Sequence, residues 1–216
     1  MSPPDPGAIL SMWAAGVAAG VAIIAYWKVA RPGFVLLGVG VAALLGFGGA
    51  LAGAGWWGAV AGIMALLAIY VRTNRWATLP LAAAGLLWLD LTHSVWSWLV
   101  AMVGAVALGA VTSEMLLGHW YLVDPKLPRR PLRVLALAGI LGVALDTVVV
   151  QVLAVESPPI LAAVLIGLGV TSVILMIGVW FALRVRAYTG VMAATGLSYL
   201  AMLTSLGAVV LGRSVI

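Results

Sequence analysis

The chain has 216 residues, of which 65% are hydrophobic and 8% charged; its net charge is +5 and it contains no cysteine. A water-soluble domain carries charge on about a quarter of its residues, so a soluble fold is excluded, and the absent thiols exclude disulfides, thiolate metal centres and cysteine nucleophiles. The class that remains is all-α, a polytopic transmembrane helical bundle, because apolar runs of about 20 residues recur where barrel strands would alternate in segments of about ten.

Eight spans are predicted within a single integral membrane domain, residues 1–216, and all their connections are brief. The first runs over 8–30; the opening MSPPDPGAIL has no basic residues ahead of its apolar run and so does not read as a cleaved signal peptide. The second covers 34–54. The third (56–71) and fourth (77–92) lie near the lower limit of about 17 residues for a crossing, which leaves merging or re-entrance open for both. The fifth (95–122), sixth (131–155), seventh (159–183) and eighth (188–211) are longer.

Basic residues orient these spans. Lys28 and Arg31 follow the first, Arg72 and Arg75 the third, Lys126, Arg129, Arg130 and Arg133 the fifth, and Arg184 and Arg186 the seventh; Arg213 alone falls on the other side. Such asymmetry in short loops marks the cytoplasmic face of a cell membrane. Both termini are then expected outside. Confinement of the positive charge to these loops also argues against nucleic acid as a partner, leaving the lipid bilayer and other membrane subunits. The cluster Lys126, Arg129, Arg130 and Arg133 is expected to fix topology and to hold anionic lipid headgroups or an acidic partner.

The four cytoplasmic turns resemble one another: YWKVARPG at 26–33, YVRTNRW at 70–76, HWYLVDPKLPRRP at 119–131 and VWFALRVRAY at 179–188. In each, aromatic residues lead into basic ones and then into a new apolar run. The spans therefore read as four similar helical hairpins. In the last two, VTSEMLLGHWYL (111–122) aligns with VTSVILMIGVWFAL (170–183) after one insertion. Apolar residues stand in the later copy where the earlier has Glu114 and His119, so the helical scaffold does not require either polar side chain.

Three of the six acids are accounted for by loop solvation or helix capping: Asp5 and Glu156 on the outer side and Asp124 on the inner. Glu114 and Asp146 lie within spans, where an ionised carboxylate costs at least about 2.5–3.5 kcal/mol unless it is protonated, paired or wet. Ala107, Ala110 and Gly118 share the face of Glu114, and Gly139 and Gly142 that of Asp146, so both acids are expected to point into the bundle. An offset of roughly 10 Å along the hairpin is predicted to keep them apart. Each is a candidate for proton handling, for interhelical hydrogen bonding with Thr112, Ser113, Thr147 or Gln151, or for pairing with an arginine.

His119, Trp120 and Tyr121 stand at the inner interface, where they serve either as an aromatic belt or as a wall and hydrogen-bonding group for a quinone. His119 also joins Glu114 and Asp146 as a proton-handling candidate. His93 opens the fifth span and His119 nearly closes it, about 39 Å apart at 1.5 Å per residue. A bis-histidine haem within one subunit is thereby disfavoured, while a single-histidine haem stays open. On the outer side Asp90 and His93 form a carboxylate–imidazole pair with too few ligands for a specific metal site. Phosphate-binding, dinucleotide, metalloprotease and nucleophile-elbow motifs are all missing, so no catalytic machinery is predicted. The leading functional expectation is a subunit of an energy-converting complex, respiratory or electron-transferring, that contributes proton-conducting or quinone-adjacent residues. The alternatives are a small proton-coupled transporter and a scaffold or assembly factor.

Overall fold

The protein is described from a computed structural model. The structure describes residues 5–29, 31–71, 76–89, 95–154 and 157–216, and the side chains of all of these except 95–97. Among the described residues there are eight α-helices and no strand: α1 (Pro6–Tyr26), α2 (Pro32–Gly49), α3 (Trp56–Val71), α4 (Thr78–Leu89), α5 (Val95–Val123), α6 (Arg130–Leu153), α7 (Pro159–Ala182) and α8 (Tyr188–Val215). Prolines begin α1, α2 and α7 and occupy the first turn of α6. There the missing N–H costs nothing and the fixed φ suits the helix. At α1 the preceding Asp5 adds a cap, its carboxylate accepting from the Gly7 N–H at 2.9 Å. The second apolar run is continued by a π-helical turn, Ala50–Ala54, and broken by Gly53 and Gly55 at φ 123° and 73°, a backbone region that disfavours any residue with a Cβ.

Six of these segments are long and apolar enough to cross a membrane: α1, α2 with its π-helical extension, α5, α6, α7 and α8. Over the described residues α3 and α4 run for 16 and 12 residues, about 24 and 18 Å, less than the ~30 Å hydrocarbon core. The eighth helix runs four residues beyond the predicted end of its span, to Val215. Arg213, which lies beyond that predicted end, is consequently a helical residue.

Packing matches a bilayer environment. Along α6, Val134, Leu137, Leu141, Leu145, Val148 and Val152 form an exposed stripe, while Asp146, the one acid of that helix, is 2% exposed on the opposite face. In water such a distribution is inverted. Where lipid is the solvent, apolar side chains face outward and polar ones turn inward.

The helices form two compact units, Asp5–Ala105 and Val106–Ile216. In the first, α1 packs on α2 and α4, and α3 completes the ring by packing on the same two helices. Trp88 of α4 is buried and donates its indole N–H to the Gly58 carbonyl of α3 at 3.2 Å. In the second unit α7 packs on α6 and α8, and α5 meets α6 at Ala107 and Val111 and α8 at Gly118. The buried face of α8 is small and hydroxylated, with Ala194, Thr195, Ser198, Ala201, Ser205, Ala208 and Gly212 recurring every three or four residues. Without a hydrophobic drive between helices in lipid, this is the surface that permits close approach and interhelical polar contact.

Candidate functional site

The second unit contains the candidate site. Gly142 lies against the Ala107 backbone and Gly139 against Val111, which sets the antiparallel register of α5 and α6. That register carries Glu114 to the level of Ala136, about ten residues from Asp146, or roughly 15 Å along the bundle. The two acids therefore belong to different levels.

Glu114 is fully enclosed. Neither of its carboxyl oxygens has a hydrogen-bond partner among the described residues, and the adjacent Ser113 hydroxyl is likewise buried and unpartnered. Ser198 of α8 is close enough to influence the carboxyl, but it donates to its own helix, to the Ala194 carbonyl at 2.7 Å. Thr195 similarly donates to the Val191 carbonyl at 2.9 Å, and its hydroxyl lies beside Gly118, one turn from Glu114. The result is a carboxyl next to several hydroxyls, none of which is committed to it.

Asp146 is different. Its two carboxylate oxygens accept from Arg213 in fork geometry, at 2.7 and 2.9 Å, and both side chains are largely buried. Of the roles open to this acid in sequence, the structure shows pairing with an arginine. The interhelical bond through Thr147 is not formed, because that hydroxyl donates to Val143 in its own helix at 2.8 Å; the Gln151 side-chain oxygen is buried without a partner. A planar guanidinium matches a carboxylate with two parallel bonds, which lets both charges stay in the C-terminal parts of α6 and α8. Between the two levels, Ser205 is buried with its hydroxyl unpartnered. Thr204, the residue before it, accepts from Ser172 of α7 at 2.7 Å.

At the other end of the unit the three adjacent aromatic candidates separate. His119 is exposed, with Nδ1 3.5 Å from the Tyr199 hydroxyl; Trp120 is half-buried. Tyr121 is buried, with its ring 6.4 Å from that of Tyr188 and Arg129 seated 5.8 Å from its centroid. As consecutive residues of α5 the three point in different directions around the helix. Asp90 and His93 lie outside the described residues. Among the described residues no three of His, Asp or Glu come together as a metal site.

The basic cluster also separates. Arg129 donates to the carbonyls of Val185, Arg186 and Ala187 and, through Nε, to the Tyr121 hydroxyl at 3.5 Å. It ties the turn before α6 to the turn before α8, a structural role added to the lipid or partner docking expected of it. Lys126, Arg130 and Arg133 stay exposed. Sequence reasoning singled out neither Ser198 and Ser205 nor Arg213 as partner to Asp146. A readable signal existed in the seven-residue spacing that puts 198, 205 and 212 on one helical face. Comparison with known protein families, with curated proteins and with solved structures finds no match.

Proposed function

We propose that the protein is a multi-pass cell-membrane component that handles protons, with its basic loops cytoplasmic and its termini outside, acting as a subunit of an energy-converting complex. The observation that carries this reading is Glu114, an enclosed carboxyl with no cation and no committed donor among the described residues. A group of that kind can exchange a proton with water that reaches it without an ion pair first being broken. A carboxylate already held by arginine, as Asp146 is, lacks that freedom.

Polar groups continue from Glu114 along the interior of the second unit. Ser198, Ser205 and Arg213 with Asp146 mark successive levels on α8, and from 198 to 213 the helix rises about 22 Å, against a hydrocarbon core of ~30 Å. Steps of about 10 Å exceed a hydrogen bond, so conduction along this line would proceed through intervening water. The quinone half of the expectation has less support. Tyr121 is buried and its hydroxyl accepts from Arg129, while His119 faces Tyr199.

The reading is tested by reconstituting the purified chain in liposomes and following internal pH under an imposed membrane potential. Wild-type protein is expected to pass protons. Glu114→Gln, which keeps the shape and removes the titrating group, should lower the flux by about a hundredfold, the scale on which a positioned proton-transfer group acts. Flux at the wild-type rate in Glu114→Gln would end the proposal.

A further inference from the structure

We infer that the turns preceding α6 and α8 form a binding site for a phosphate group, and that its ligand is the headgroup of an anionic phospholipid. An open cleft of about 650 Å³ is lined there by Arg129, Arg133, Arg184, Arg186 and Leu183. Four arginines line one cleft, and none of them is ion-paired to an acid among the described residues. Like charges gathered in this way repel unless an anion lies between them, and guanidinium groups match phosphate oxygens in fork geometry.

The cleft is built before any ligand arrives. Arg129 clamps the backbone of residues 185–187 and so fixes the base of Arg186. Arg184 is stacked on the Trp180 ring at 3.6 Å, which orders its guanidinium. Arg133 and Arg186 are exposed and supply the free donors. This arrangement differs from a general basic surface, because Lys126 and Arg130 are also exposed but do not line the cleft.

The surroundings favour a lipid over a soluble phosphate. Phe181, Val185, Val134 and Val123 are exposed apolar residues close in sequence to the cleft arginines, and Leu183 lines it. A phosphodiester held by Arg133 and Arg186 could therefore continue into acyl chains lying against helix flanks that already face lipid. Basic clusters at this depth favour anionic lipids on electrostatic grounds.

The experiment is titration of the detergent-solubilised full chain with short-chain phosphatidylglycerol, phosphatidylcholine and inorganic phosphate, with binding read by native mass spectrometry and by thermal shift. Phosphatidylglycerol should bind more tightly than either of the others. The double substitution Arg133→Gln with Arg186→Gln should weaken it by about tenfold or more, the scale of a lost charge-assisted bond. The control Lys126→Gln with Arg130→Gln removes equal charge outside the cleft and should change affinity little. Equal losses in the two double variants would overturn the site in favour of diffuse surface charge. Inorganic phosphate binding as tightly as the lipid would overturn the assignment of its ligand.

Discussion

Two carboxyls of similar hydrophobic context have opposite fates at the residue scale, and the difference lies in what each meets. Asp146 meets Arg213 and forms a bidentate ion pair with side-chain exposures of 3% and 11%; Glu114 meets hydroxyls of α8, Ser198 and Thr195, that donate to their own helix. Removing one partner of a buried, doubly hydrogen-bonded ion pair is strongly destabilising, by about 3–5 kcal/mol. Asp146→Ala is therefore expected to lower unfolding stability in detergent by that amount, while Asp146→Asn with Arg213→Gln, which removes both charges, should cost much less. Equal losses in the two variants would show that the pair contributes through packing alone. Glu114→Gln, in contrast, should leave stability nearly unchanged, because no bond to a partner is lost.

The decisive feature at the element scale is close approach. A Cβ added at Gly142 would stand 3.0 Å from the Ala107 Cα and N, and backbone atoms cannot give way as a side-chain tip can. Gly142→Ala should therefore separate α5 from α6 and cost about 1–3 kcal/mol, read by thermal unfolding of the purified protein; a stability equal to wild type would show that the helices can slide apart freely. Glycine spacing in the sequence marks this face as close-packed. It leaves the partner helix undetermined, because small residues also line α8. The hairpin likeness of the last two repeats predicts adjacent antiparallel helices, and α5–α6 and α7–α8 do pair so. The closing contact of α5 with α8, through Gly118 and Thr195, has no counterpart in that likeness.

At the scale of the whole molecule, the chain is two units of consecutive helices, each closing on itself. The proposed topology has a direct test, helped by the absence of native cysteine. Single substitutions Lys126→Cys and Ile216→Cys, both at exposed positions, should react with a membrane-impermeant thiol reagent from opposite sides: 126 only after the cytoplasmic face is opened, 216 in intact cells. Labelling of both from one side would reverse or break the arrangement. Over the described residues α3 and α4 are shorter than a full crossing for a helix along the membrane normal, and the apolar pattern alone does not distinguish a short span from a shallow one.

Composition and periodicity by themselves determined that this chain is helical and built for lipid, where its helices lie to within a few residues, and that Glu114 and Asp146 sit on small-residue faces. Those properties are local: they follow from run length, from 3.6-residue spacing and from the cost of charge in hydrocarbon. Only the tertiary structure decided that Arg213 is helical and reaches Asp146, that Arg129 closes on the carbonyls of a distant turn, and that Glu114 has no hydrogen-bond partner among the described residues. These depend on which faces meet and in what register, and many registers satisfy the same small-residue pattern. The choice among them is made by packing across helices that are far apart in the chain.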